Sequence, residues 1–430
     1  MRYRSKTFAA MATVFALVAV ACGGGGGGGA TPKATGSLAG TTITFSVSLA
    51  TNENAAVQEV LGMFKDQTGV NVKLTAITAA DLPQKLQVET DSNHHTVHLF
   101  AQDNVSLAIL VDKDLVEDLS DVQLPDGVTP ALIPDKFDGK QYFLPFRPNV
   151  RVSYVNKDRF SAAGVTMPKT VEEYKTVAEK LKTAGGGQGK VTLSLADAPN
   201  PDPLGITISE WIVSYGGDPL ILNDQGSVQA YTFLQGLWKE GVFAPESKQA
   251  KYDTEVNYLK GETAWFATNW TFTTGLLAES GILDKFDVYE GWAGPVRAAH
   301  AIGGDVLGIP KGVSGKEKEA AIALAQFLSS KPAQEILSAK NTWLSVRSDA
   351  LGQVPADQQS TFQAATAELA DGWYRPNVVY WNDVELAMTD AVKRIIYGGE
   401  DAATVLNEEH QKIADAAQKA GVEYPPAASA

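Results

Sequence analysis

The chain has 430 residues, 44% of them hydrophobic and 20% charged, a composition that suits a folded protein of two or more domains and excludes a disordered one. Its formal charge is -14, and -17 without Arg2, Arg4 and Lys6, which argues against nucleic acid as a partner. Cys22 is the only cysteine, so no intrachain disulfide can form.

Arg2, Arg4 and Lys6 precede an apolar stretch over residues 8–18 that is too short to span a bilayer, and Ala19, Val20 and Ala21 then lead to Cys22. This reads as an export signal over residues 1–21. A lone cysteine at that point, followed by seven glycines, resembles a bacterial lipobox whose thiol is acylated, although Ala19 stands where leucine is commoner. The plainer alternative is an ordinary signal peptide with an incidental cysteine. Residues 22–40 are expected to be a lipid-attached, Gly-rich tether.

From residue 42 the pattern becomes globular. Residues 42–47 alternate as a strand, Val57, Val60, Leu61 and Phe64 recur at helical spacing until Gly69, and Val70, Val72 and Leu74 give a second strand, which together predict a βαβ unit on a parallel sheet. A helix over residues 82–88 and a strand over 97–100 follow. Gln102 and Asp103 should emerge at the carboxyl edge of the sheet, where open α/β folds hold ligands. His94, His95 and His98 have no recognised metal spacing and are expected in a solvated loop.

Residues 138–158, DGKQYFLPFRPNVRVSYVNKD, contain two strand-like runs joined by a proline-stiffened segment. They predict an extended crossover that leaves one sheet and enters another. A turn and short helix follow, and Thr170 with Glu173 has capping-box spacing ahead of the apolar face Val171, Tyr174, Val177, Ala178 and Leu181.

The set Asp138, Gly139, Lys140, Tyr142, Pro145, Asn149, Tyr154, Asn156, Lys157, Asp158, Phe160, Ala163, Gly164, Pro168, Thr170 and Glu173 resembles the signature of the maltose-binding-protein-like solute-binding proteins of bacterial ABC sugar importers. Val155 departs from it, standing where many relatives carry a second tyrosine, and Arg147 and Arg151 flank Asn149. Further on, residues 260–270 resemble the family's strand and loop that place an aromatic in the cleft, and residues 303–310 its return strand. Lys316 to Ser329 read as a helix stopped by Lys331 and Pro332, residues 341–347 as a third crossing, and residues 384–396 and 402–417 as late helices. The resemblance covers about residues 42–420.

It implies an α/β, two-lobed periplasmic-binding-protein fold of type II, with discontinuous lobes joined by a hinge. The expected lobes are 41–147 plus 304–345 and 148–303 plus 346–424. The implied function is capture of a carbohydrate by hinge closure and its delivery to the ABC transporter permease, as a monomer held to the membrane by its lipid. Sugars present apolar ring faces and hydroxyl rims, so their sites combine flat aromatics with fixed hydrogen-bonding groups. On that basis Asn52, Glu53, Gln102, Asp103, Asn149, Trp270, Trp292, Asp305, Trp343, Arg347, Tyr380 and Trp381 are the expected ligand-binding residues. Trp211, Trp238 and Trp265 are expected in the core. No catalytic motif, P-loop or dinucleotide fingerprint is present, and neither an enzyme, a metal nor a cofactor is expected. Two alternatives stay open: a binding protein for a cationic ligand such as a polyamine, and a secreted glycosidase.

Overall fold

The computed structural model describes residues 38–49, 53–78, 81–104, 107–196, 202–350, 354–370 and 372–425; Cys22 and Asn52 lie outside them. Among the described residues nine strands are formed: β1 (Thr42–Ser46), β2 (Asn71–Thr75), β3 (Leu99–Asp103), β4 (Leu144–Asn156), β5 (Val191–Thr192), β6 (Phe266–Trp270), β7 (Phe286–Tyr289), β8 (His300–Gly308) and β9 (Gly372–Tyr374). The opening βαβ unit forms as its pattern predicts. The helix Asn54–Thr68 buries Val57, Val60, Leu61 and Phe64, and Gly69, at φ 72°, ends it by donating its N–H to the Lys65 carbonyl. β1 then lies parallel to both β2 and β3.

The strand order is β2-β1-β3-β8-β4-β6-β5, with β7 also on β4 and β9 on β8. As expected of a crossover, β4 is one continuous strand of 13 residues that leaves the sheet of the first strands and enters that of β6 and β7. Its first half pairs antiparallel with β8 from Leu144↔Leu307 to Val150↔Ile302, slipping register between Pro145 and Arg147. Its second half pairs with β6 and β7. Pro145 and Pro148 are tolerated because the register slip relaxes the ladder where two donors are missing.

Each half of the sheet carries its own core. Around β1 and β3, Ile43, Phe45, Phe64, Leu144, Phe146, Leu307 and Leu324 pack together. Around β5 and β6, Val155, Tyr174, Leu181, Trp211, Phe266 and Leu234 do so, with the helix Val171–Ala184 contributing the apolar face read from its spacing. Thr170 caps that helix by accepting the Glu173 N–H, while the Glu173 carboxylate accepts from Lys169 N. A third crossing is visible at Trp343 and Leu344, neighbours in sequence that belong to cores on opposite halves. Val346 returns to the first half, where its carbonyl accepts from Thr129 N. Lys331 and Pro332 do not merely follow a helix; they open the next one, Lys331–Asn341, since proline in the first turn has no helical hydrogen bond to lose.

His98 corrects the reading of a solvated histidine loop. It is buried, its N–H donates to the Thr44 carbonyl, and its Nδ1 accepts from Thr44 N at 3.0 Å, so the neutral ring continues the β1–β3 ladder. Burial lowers its pKa, although Glu317 and Glu89 favour the cation. A depressed histidine contributes stability that is complete above its unfolded value of 6.5 and is lost as pH falls below it. Glu255 runs the other way: burial has pushed it up to about 7, so its contribution is lost as pH rises from 4.5 through 7. The difference between wild type and His98→Asn isolates the imidazole, because asparagine keeps an acceptor without titrating. That gap in unfolding free energy should narrow between pH 7 and 5; a constant gap would contradict the neutral-ring assignment.

Candidate functional site

The three crossings frame a cleft of about 680 Å³ between the two halves of the molecule, which act as its lobes. The first lobe contributes Ser48, Leu49 and Glu53 from the segment after β1, Asp103 from the end of β3, and Trp343. The crossing strands contribute Arg147, Pro148 and Asn149 from β4 and Gly304 and Asp305 from β8. The second lobe contributes Trp270, Thr271 and the exposed face of the helix Phe272–Glu279.

An ionic cluster forms the floor. Arg147 donates from Nε to Asp305 at 2.8 Å and from Nη2 to the Ser48 carbonyl at 3.1 Å, and its Nη1 lies 3.6 Å from Glu53. Its guanidinium also stacks 4.6 Å over the Trp343 ring, whose Nε1 donates to Glu53 at 2.6 Å. Burial works against the Arg147 cation, but Asp305 and Glu53 prevail and hold its pKa above the ordinary arginine value. Burial, with Asp103 nearby, holds Asp305 above the usual aspartate range even though Arg147 pulls it down. Asp103, directly across from Asp305 in the ladder, also pairs at 3.1 Å with Arg375, which follows β9.

The wall is aromatic. The Trp270 indole is 7% exposed, meets Tyr252 edge-on at 5.7 Å and lies against Gly303. A Cβ at Gly303 would come within 2.5 Å of the indole, so this crossing strand needs glycine there to seat the ring. Gly304 is required for a different reason: it has φ 96°, and a Cβ would fall 2.1 Å from the Arg147 carbonyl. Asn149 ties floor to wall by accepting from the Thr271 hydroxyl at 3.0 Å.

Of the residues expected from sequence, the structure brings Glu53, Asp103, Asn149, Trp270, Asp305 and Trp343 together. Asn52 lies outside the described residues, and the structure places Gln102, Trp292, Arg347, Tyr380 and Trp381 away from the cleft. Gln102 is buried on β3, alternating away from Asp103 as strand geometry requires, and its amide nitrogen has no hydrogen-bond partner. Trp292 stacks 4.0 Å from Trp211 inside the second-lobe core. Tyr380 and Trp381 are buried in the same core at the start of the helix Trp381–Ala391. Arg347 is held by Asp349 at 2.8 Å in the first lobe. Sequence reasoning missed Arg147 as part of the site, and also Thr271, Phe272, Leu276 and Glu279. The last three follow helical spacing, the one signal that could have found them.

Among the described residues no group of histidine, cysteine or carboxylate side chains is arranged to hold a metal, and no helix is long and apolar enough to cross a membrane.

A binding protein of Brucella abortus (strain 2308) is 25% identical over 298 residues, 67% of this chain and 70% of its own length. Among solved structures, maltose-bound MalE3 of T. maritima superposes with a TM-score of 0.73 at 21% identity, covering 87% of this chain and 99% of that one. The cyclic α-maltosyl-1,6-maltose binding protein of Arthrobacter globiformis gives 0.77 at 19%, covering 88% and 99%. These likenesses establish the two-lobed type II periplasmic-binding fold expected from the sequence. The model of the bacterial extracellular solute-binding proteins matches residues 59–366, a span that includes parts of both lobes and most of the cleft, and the chain belongs to that family of extracytoplasmic, non-enzymatic binding proteins.

Proposed function

We propose that the protein captures a carbohydrate of oligosaccharide size in the cleft between its lobes and hands it to an ABC importer. The observation that carries this reading is the pairing of a tryptophan wall with a floor of fixed carboxylate and amide groups in a cleft of about 680 Å³. That volume falls within the roughly 300–1,000 Å³ of small-molecule sites, and the two chemistries match the faces and rims of sugar rings. The sugar ligands of the T. maritima and Arthrobacter globiformis proteins support the same class.

Glu53, Asp103, Asn149 and Asp305 accept or orient ring hydroxyls, and Trp270 offers the stacking surface. Trp343 has a different role from the one its type suggests, because Arg147 already covers a face of its indole. Ligand touching both lobes favours the closed arrangement by differential affinity, with β4, β8 and residues 341–347 absorbing the rotation. Export by the N-terminal signal and acylation of Cys22 then hold a monomer at the outer face of the membrane.

A thermal-shift screen of the purified protein against neutral oligosaccharides and polyamines, with chromatography of the mixtures, tests the reading. The expected result is a saccharide-dependent rise in melting temperature without new products. A response to polyamines alone, or release of shorter sugars, would overturn it.

A further inference from the structure

The two arginines beside Asn149 are not accounted for by a sugar-binding role, and the structure gives each a different fate. Arg151 is spent inside the second lobe on Glu210, Thr207 and the Thr268 carbonyl. Arg147 faces the cleft, yet Asp305, Glu53 and the Ser48 carbonyl surround its edge while Trp343 covers a face. Among the described residues, those lining the cleft include the carboxylates Glu53, Asp103, Glu279 and Asp305 but only the cations Arg147 and Lys340. Lys340 is itself paired with Glu59, and Arg375 behind Asp103 offsets one further negative charge.

We propose that Asp305 is a specificity-determining residue: by locking Arg147 it removes the cleft's anchor for anions, so that the site accepts uncharged saccharides and rejects those bearing a carboxylate. This rests on the carbohydrate reading above. An acidic sugar seated on the floor has to displace a carboxylate from Arg147 and then lie beside it. Discrimination therefore comes from repulsion and from an unmatched buried charge, and not from any better contact with the neutral sugar. Asp305 is well placed for this control, since β8 sets it directly opposite both Asp103 and Arg147 in the ladder.

The test is calorimetric titration of wild type and Asp305→Asn with maltotriose, cellotriose and β-1,4-galactotriose, each beside the counterpart whose terminal C6 alcohol is a carboxylate. Wild type should favour a neutral trisaccharide over its acidic counterpart by tenfold or more. Asp305→Asn should move that ratio toward the acidic sugar by at least tenfold, through Arg147 with its main ionic partner gone. A thermal melt confirms folding, and Glu53→Gln, expected to shift the ratio in the same direction, serves if Asp305→Asn does not fold. Equal binding of neutral and acidic sugars by wild type, or an unchanged ratio in the folded variants, overturns the inference alone. Failure of every saccharide to bind wild type removes the carbohydrate reading and the inference with it.

Discussion

Truncating Trp270 to alanine is expected to weaken saccharide binding by about 2 kcal/mol, roughly thirtyfold, and to lower unfolding stability by about 3 kcal/mol. Both losses follow from one position. The indole lines the cleft, so its removal takes away the stacking surface and the barrier to water. It is also 7% exposed and packs with Ile206, Ala301 and Tyr252, so its removal leaves a cavity against the crossing strand β8. Urea unfolding and calorimetric titration on the same variant separate the two effects. Collapsed stability with near-normal affinity would make Trp270 a core residue only and withdraw the aromatic wall.

Replacing Arg151 with methionine should cost more, about 3–5 kcal/mol of folding stability. Methionine fills much of the arginine volume but leaves Glu210 facing a buried site without its cation, 2.9 Å from where the guanidinium stood. The damage reaches the hinge because the other oxygen of Glu210 accepts the N–H of Ala301 on β8 at 3.0 Å, so the Arg151–Glu210 pair fastens both central strands to the helix Asp202–Ser214. Burial already holds Glu210 above the ordinary glutamate range in spite of Arg151. Without the arginine it should rise further, and a raised acid contributes stability that is lost as pH rises, so the deficit should shrink on acidification. Adding Glu210→Leu should restore a large part of the loss, since an apolar pair strands no charge. A single-variant loss below about 1 kcal/mol would contradict the assignment of this pair as a buried fastening.

Much of the fold was legible because it is written locally. The spacing from Val57 to Phe64, the Thr170 cap and the apolar face of residues 171–181 each fix an element within a few residues, and the structure reproduces them. The end of β3 and the two crossing segments were legible too, and they bring Asp103, Asn149 and Asp305 to the cleft. What sequence could not provide was the direction of a tryptophan. Trp270 and Trp381 both adjoin asparagine, yet one ends a strand at the cleft and the other begins a helix within the core. Nor could it reveal that Arg147 would be held by Glu53 and Asp305, because those partners lie far apart in the chain and meet only when β4 and β8 pair. The helix Phe272–Glu279 escaped notice for a related reason: it has no side-chain cap, and Gly275 interrupts its apolar face.

A crystal structure of the protein with a bound neutral oligosaccharide tests the central claim most directly. The expected density has a sugar ring against Trp270 with hydroxyls reaching Asn149 and the first-lobe carboxylates Glu53 and Asp103, so that the ligand touches both lobes while Arg147 stays on Asp305. A saccharide bound outside this cleft, or held by one lobe alone, would contradict the account.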